Sequence, residues 1–180
     1  MRTSVVGTSC SGKTTFAREL ALREGIPHIE LDSLYWLPNW EVRPEEDFRR
    51  LVEEALKGDA WVVDGNYKLV RDLVWQKATH VIWLNYPFWL VFKRALSRTF
   101  RRILTREELF SGNQENWRNS LFSRESILWW VITTHRRRKK KYRQLFDQQN
   151  CLGLEMIEIR TNRDARQFFD QIGDSRLPRV

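Results

Sequence analysis

Short apolar runs alternate with longer stretches of mixed polarity along most of the chain. Five runs are predicted to be strands: residues 2–6, 28–31, 60–63, 80–84 and 154–159. The runs 60–63 and 80–84 are rich in β-branched and aromatic residues, which is typical of strands buried on both faces. Apolar residues at helical spacing predict helices over 13–23, 45–56, from Pro87 onward, about 125–146 and 165–172. Because strands and helices alternate, the sequence predicts an α/β fold with a parallel sheet covered on both sides.

Composition narrows the class of protein. A chain of 180 residues suits one domain with one core. The longest apolar runs, 86–92 and 127–132, are far shorter than the ~20 residues a membrane-spanning helix needs, so we expect no membrane partner. No signal-peptide pattern is present, and the two cysteines, Cys10 and Cys151, lack metal-ligand spacing. These features predict a reducing, cytoplasmic location.

The segment between the first strand and the first helix carries the clearest chemistry. It fits the pattern G-x-x-x-x-G-K-[ST] at every fixed position and in the required strand–loop–helix context. Backbone amides of such a loop and the positive end of the following helix surround phosphate oxygens. The lysine reaches the β- and γ-phosphates, and the hydroxyl that follows it ligates Mg²⁺. The sequence therefore predicts a site for ATP and Mg²⁺ formed by Gly7, Thr8, Ser9, Cys10, Ser11, Gly12, Lys13, Thr14 and Thr15.

A site of this kind also needs an acidic residue at the end of a neighbouring strand. Asp64 is the leading candidate because it ends the apolar run 61–63. Since Asp64 is followed by Gly65, a role confined to a turn is the alternative. Asp32, at the end of the second predicted strand, is the rival for the metal role.

Several stretches together resemble a known family. The residues are the loop 7–15, Asp32-Ser33-Leu34-Tyr35-Trp36 with Pro38 and Trp40, the run 61–67 and the run 81–84. They resemble the adenylate-kinase-related proteins often described as topology modulation proteins, within the nucleoside monophosphate kinase superfamily. The resemblance covers nearly the whole chain and departs at Cys10, where glycine is common, and at Asn85, where aspartate is common. It implies a P-loop NTPase fold of three α/β/α layers, with five parallel strands in the order 2-3-1-4-5 and a helical lid.

The same resemblance implies an enzyme that transfers the γ-phosphoryl group of ATP to a small acceptor. Related kinases place arginines on the helix after the fourth strand, where they stabilise charge on the transferred group. Arg94 and Arg98 are spaced i, i+4 and share a helix face, so we expect them to act with Lys13 in catalysis. A solvated helix face is the alternative. Residues 104–124, with Gly112 as a hinge, would form a lid inside a single domain of residues 1–180.

The segment 32–43 is expected to lie over the acceptor side of the cleft. Tyr35, Trp36 and Trp40 are candidates to stack on a base or a sugar, although an aromatic cluster under a loop explains them equally well. Arg43 and Arg71 are candidates to hold an acceptor anion. A phosphate acceptor is already ionised, whereas a hydroxyl acceptor needs a base, which would be Asp32. A nucleoside monophosphate is favoured, and a sugar or hydroxy acid stays open.

Charge is distributed unevenly and suggests a second class of function. Residues 93–143 contain fifteen Lys or Arg against four Asp or Glu, a net of +11, while the whole chain carries +8. The run 136–141 covers all sides of a helix, so only one or two of its members, such as Arg136 or Arg137, can face a phosphate site. The others are solvated or bind a polyanion. A nucleotide-binding protein that associates with nucleic acid, and an NTPase without a small acceptor, are therefore the alternatives.

Overall fold

The five predicted strands form one parallel sheet. The structure is a computed structural model, and it describes residues 1–105, 110–112, 127–149 and 154–174. The strands are β1 (Arg2–Gly7), β2 (His28–Glu30), β3 (Trp61–Asp64), β4 (His80–Leu84) and β5 (Glu155–Ile159). Their order is β2-β3-β1-β4-β5, which confirms the expected order 2-3-1-4-5. The carboxyl end of β1 consequently lies between the ends of β3 and β4.

Seven helices lie within the described residues. They are α1 (Lys13–Glu24), α2 (Leu31–Tyr35), α3 (Glu45–Ala55), α4 (Arg71–Lys77), α5 (Phe88–Thr105), α6 (Ile127–Gln149) and α7 (Asn162–Asp174). Single 3-10 turns cover Pro38–Trp40, Lys68–Val70 and Phe110–Gly112. The sequence predicted α1, α3, α5, α6 and α7 but not the two short helices α2 and α4. Since β2 ends at Glu30, Asp32 lies in the first turn of α2 and not at the end of a strand.

The helices cover the sheet on both faces and give the fold three layers. One face packs against α1, α5 and α7, with Phe16, Leu20, Val91, Ala95 and Phe168 among the contacting side chains. The other packs against α3, α4 and α6, through Phe48, Val52, Val74, Tyr142 and Phe146. Alternate strand residues point to opposite faces, so neighbours such as Ile82 and Trp83 join different clusters. Each fully buried side chain of this size contributes about 1.5–3 kcal/mol to stability.

A tight turn after β3 brings three strand ends to one edge of the sheet. Gly65 has φ +140°, and a Cβ at this position would lie 2.6 Å from the Cβ of Leu31, so a larger residue would push α2 away. The turn places Asn66 against β1, where its side-chain amide donates to the carbonyl oxygen of Gly7 at 3.3 Å. The segments that follow β1, β2 and β3 therefore meet at one place.

Two further predictions concern a membrane-spanning helix and the lid. Within the described ranges, no helix is both long and apolar enough to cross a membrane. The predicted lid, residues 104–124, lies outside the described residues except for 104–105 and 110–112.

Candidate functional site

The loop between β1 and α1 contains a tight turn that is closed by a backbone hydrogen bond. The amide of Ser11 donates to the carbonyl oxygen of Thr8 at 3.2 Å, and Gly12 adopts φ +92° immediately before α1. Cys10, whose side chain is buried, also has a positive φ of 62°. A Cβ at Gly7 would lie 2.9 Å from the carbonyl oxygen of Leu84, so glycine allows β1 and β4 to approach closely here. Among the residues that the structure describes, no side chain caps the amino end of α1, and the first amides of a helix have no partner within the helix itself.

The ammonium group of Lys13 lies against this loop. Its Nζ donates to the carbonyl oxygen of Thr8 at 3.1 Å. Burial lowers the pKa of Lys13, while the carboxylates of Asp32 and Asp64 act in the opposite direction. The guanidinium of Arg138, on α6, adds to the lowering. Lys13 is thus the cation at the centre of a site in which charges of both signs converge.

Next to Lys13, the Thr14 hydroxyl faces two carboxylates. Its Oγ1 lies 3.2 Å from Oε1 of Glu30 and 3.4 Å from Oδ1 of Asp64. Asp64 is only 1% exposed, and its other oxygen lies 2.9 Å from Nε2 of His28. Burial, followed by the charge of Asp64, raises the pKa of Glu30. Asp64, predicted as a metal ligand, therefore lies beside Thr14 with one oxygen directed at it and the other fixed by His28.

These oxygens suit Mg²⁺ as it is usually bound with a nucleotide. Mg²⁺ takes one or two protein groups and completes its shell with phosphate oxygens and water. Thr14 and Asp64 supply two oxygen atoms at adjacent positions. Within the described ranges, no group of three or more His, Cys, Asp or Glu side chains is placed to hold a metal without such help.

The two predicted catalytic arginines occupy different environments. The Nη1 of Arg94 donates to the carbonyl oxygen of Ser11 at 2.7 Å, and its Nη2 donates to Oδ1 of Asn162 at 2.8 Å. Its guanidinium also lies 4.5 Å from the ring centre of Tyr86. Arg94 therefore joins the loop to the start of α7. The Nε of Arg98, one turn further along α5, is buried and makes no hydrogen bond within the described residues.

On the predicted acceptor side, Asp32 accepts a hydrogen bond from a tyrosine. The Tyr67 hydroxyl donates to Oδ1 of Asp32 at 2.5 Å. Burial, and then the charge of Asp32, raises the pKa of Tyr67 well above its ordinary value. The Tyr67 ring packs between Tyr35 and Phe48, with ring centres 4.3 and 5.2 Å away, so its hydroxyl is held in place.

The predicted acceptor aromatics contact one another. Tyr35 and Trp36 pack edge to face with ring centres 5.0 Å apart, and Trp36 and Trp40 do so at 5.5 Å. Ser111, in the described part of the predicted lid, donates its hydroxyl to the carbonyl oxygen of Trp36 at 2.8 Å. Arg43 donates its Nε to the carbonyl oxygen of Leu34 at 2.7 Å. Tyr35 therefore belongs to an aromatic cluster, while Trp40, 39% exposed, lies at its open edge.

Arg71 belongs to a group of cations between α4 and α6. Its guanidinium lies 5.7 Å from the ring centre of Trp75, in a cleft also lined by Asn66 and Tyr67. Burial lowers the pKa of both Arg138 and Lys141, and the charge of Arg71 lowers each of them further. Lys68 acts on Lys141 in the same direction. We call Lys68, Arg71, Arg138 and Lys141 the inner cations because their charges act on one another; Arg71 and Arg138 are half-buried, whereas Lys68 and Lys141 are exposed.

The basic residues 136–141 of α6 therefore fall into two groups. Arg138 faces the site, whereas Arg136, Arg137, Lys139 and Lys140 are exposed, and we call these four the outer cations. The sequence offered Arg136 or Arg137 as examples of the one or two members that could reach a phosphate site, and the charge of this run that acts on Lys13 is that of Arg138. Helical spacing limits how many members can face the site, but not which ones, because that depends on how α6 packs on the sheet.

Sequence reasoning missed four residues that the structure brings to the site: His28, Glu30, Tyr67 and Arg138. His28 and Glu30 are two positions apart on β2 and so point to the same face of the sheet, which was a usable signal. The other two depend on tertiary packing.

No protein-family model matches the chain, and no curated protein matches it. The assignment of function therefore depends on the geometry of this site.

Proposed function

We propose that this protein is a Mg²⁺-dependent phosphotransferase that uses ATP and transfers its γ-phosphoryl group to a small acceptor. The single observation that carries the proposal is the meeting of three groups behind one glycine-rich loop. The Lys13 ammonium lies on the loop, the Thr14 hydroxyl follows it, and the buried Asp64 carboxylate is 3.4 Å from that hydroxyl. The sequence pattern of residues 7–14, and its resemblance to P-loop kinases, support the same interpretation.

Each residue has a definable part in this function. Loop amides and the amino end of α1 bind phosphate oxygens, and Lys13 exchanges its bond to Thr8 for one to phosphate. Thr14 and Asp64 would hold Mg²⁺, which neutralises charge on the β- and γ-phosphates. His28 fixes the far oxygen of Asp64. Arg94 holds the loop in shape through the Ser11 carbonyl group.

The fold supports an acceptor site on the other side of the loop. The charges of Asp32 on α2 and Arg138 on α6 both act on Lys13, and the charge of Arg71 on α4 acts on Arg138. A simple NTPase needs no such arrangement, which favours transfer to an acceptor over hydrolysis.

Calorimetry with Mg·ATP tests the nucleotide site. Lys13→Met should weaken binding by roughly 10- to 100-fold, since a charge-assisted hydrogen bond to phosphate is lost. Arg18→Met removes one positive charge from an exposed position of the same helix and should change the dissociation constant less than about twofold. Equal affinities for the wild-type protein and Lys13→Met would refute the proposal.

A second role is favoured by one observation. The four outer cations are exposed on one helix and are not directed at the site. Such a group binds polyanions without reading their sequence, so association with nucleic acid is compatible with the phosphotransferase role.

A further inference from the structure

The three carboxylates of the site are divided between two tasks. Glu30 and Asp64 both lie within 3.4 Å of the Thr14 hydroxyl, on the side where Mg²⁺ would be held. Asp32 instead contacts the Tyr67 hydroxyl on the acceptor side. Within the described part of the chain, Asp32 forms no ion pair, although its charge acts on Lys13. One carboxylate close to the reacting phosphate is therefore left for a purpose other than metal binding.

The position of Asp32 is suited to a hydroxyl acceptor. A carboxylate repels an acceptor that is already an oxyanion, whereas it accepts a hydrogen bond, and then a proton, from an alcohol. The Tyr67 hydroxyl donates to Oδ1 of Asp32, and the Tyr67 ring packs against Tyr35 and Phe48. A carboxylate has a second oxygen that accepts hydrogen bonds. Tyr67 thus orients Asp32 and leaves Oδ2 for the acceptor.

The inner cations suit a different part of the same acceptor. Arg71 lines a small cleft together with Tyr67, and its charge acts on Arg138 and Lys141 of α6. The Tyr142 hydroxyl, on the same helix, is buried and makes no hydrogen bond of normal geometry within the described residues. Burial raises the pKa of Tyr142 to about 12, so this hydroxyl stays protonated and able to donate. Several cations that lower one another's pKa are stabilised by an anion bound between them.

We propose that the acceptor is a small hydroxyl-bearing anion, such as a hydroxycarboxylate or a sugar phosphate, with its hydroxyl at Asp32 and its anionic group at Arg71 and the other inner cations. This inference rests on the proposed phosphotransferase function and specifies its acceptor. The acceptor oxygen forms a bond to the γ-phosphorus while the bond from that phosphorus to the β–γ bridging oxygen breaks. The hydroxyl proton passes to Asp32, and ADP leaves. Tyr67 is a positioning residue that acts through Asp32.

An acceptor panel provides the first test. The wild-type protein is incubated with Mg·ATP and, separately, with C3–C7 hydroxycarboxylates, sugar phosphates, uncharged polyols and nucleoside monophosphates, and ADP formation is followed. We expect turnover with a hydroxylated anion, whose product gains one phosphoryl group on a hydroxyl oxygen. The matching uncharged polyol should have a KM at least tenfold higher. The panel also distinguishes carboxylate from phosphate as the anionic group.

Three variants and two matched controls test the assigned roles with the best acceptor. Asp32→Asn should lower kcat by roughly 100-fold or more without weakening Mg·ATP binding. Arg71→Gln should raise the acceptor KM by about tenfold or more with little effect on kcat. Matched controls are Asp59→Asn and Arg50→Gln, which change the same charges at exposed positions and should leave both constants unchanged. Tyr67→Phe should lower kcat several-fold without raising KM, a split that a general loss of structure would not produce.

Three results would overturn the inference. The first is a nucleoside monophosphate as the best acceptor, phosphorylated on its phosphate, with turnover that survives in Asp32→Asn. The second is equal use of charged and uncharged hydroxyl acceptors. The third is Mg·ATP binding without turnover of any hydroxylated anion, which would leave the nucleotide proposal in place. Absence of Mg·ATP binding would instead refute the proposed function itself.

Discussion

A substitution of Arg94 can distinguish a residue that supports the structure of the loop from one that acts on the transferred phosphoryl group. Its side chain makes two hydrogen bonds, to Ser11 and Asn162, and one cation–π contact, to Tyr86. In Arg94→Met all three contacts are lost, but the linear apolar part of the side chain is kept. If Arg94 mainly supports the loop, the variant should lose stability as well as activity.

The expected loss follows from the contacts. The partly buried bond from a charged donor to the Ser11 carbonyl group contributes about 1.5–3 kcal/mol. The exposed bond to Asn162 adds about 0.5 kcal/mol, since solvent screens it, and the contact with Tyr86 about 1 kcal/mol. Methionine recovers part of the packing on Tyr86, so we expect a net loss of about 3 kcal/mol in the free energy of unfolding. For a domain of this size, that corresponds to a fall in Tm of roughly 6–12 °C.

Urea denaturation and thermal melting of ligand-free protein measure this loss. The matched control is Arg50→Met, because Arg50 is 71% exposed and makes one surface ion pair, with Asp47. That variant should lose less than about 0.5 kcal/mol. If Arg94→Met were as stable as Arg50→Met and yet lost phosphoryl transfer, the support role would be refuted. Arg94 would then act on the transferred group, as the sequence predicts.

Three further predictions concern the turn after β3, the start of α7 and the outer cations. Gly65→Ala should destabilise the protein by about 2 kcal/mol or more in urea denaturation, because its Cβ would meet Leu31 at 2.6 Å; Gly58→Ala, with 3.7 Å to its nearest neighbour, should change stability little. The pKa of Asp164 is lowered by the Thr161 hydroxyl and by backbone amides, so its stabilisation is present above the ordinary pKa of aspartate and is lost as the pH falls through the lowered value. Melting curves of the wild-type protein and Asp164→Asn should therefore differ at neutral pH and converge in acid, and a constant difference at all pH values would contradict this. Replacing the outer cations with glutamine should weaken retention on DNA and reduce its salt dependence, with Mg·ATP affinity unchanged; retention that is equal in both proteins would exclude these cations as the nucleic-acid surface.

Much of the fold could be predicted because the three central strands, β1, β3 and β4, are buried on both faces. Runs such as residues 61–64 and 80–84 have almost no polar side chains, which separates them from amphipathic helices without any tertiary information. The short helices α2 and α4 have five and seven residues, too few turns for a helical period to appear. Their formation depends on tertiary contacts, as the packing of Leu31 against Gly65 illustrates.

Only part of the site could be predicted from the sequence, because some of its residues come together only through tertiary packing. The loop is contiguous in sequence, so its pattern identifies Lys13 and Thr14 directly. The partners of Asp64 come from the register of the sheet, where Glu30 pairs with Asp64 across β2 and β3. That register cannot be obtained from one sequence without knowing which strands are neighbours. Arg138 depends on a packing angle between α6 and the sheet, which no local pattern encodes.

The division of charge at the site follows from this topology. Carboxylates come from β2, α2 and β3, on one side of β1, whereas the inner cations come from α4, the turn before it and α6. Both groups act on Lys13, because the charges of Asp32 and Asp64 raise its pKa and the charge of Arg138 lowers it. An acceptor that lies across this boundary has to present a proton donor to the carboxylates and an anion to the cations. A hydroxylated anion meets both requirements with one molecule, whereas a bare phosphate meets only the second.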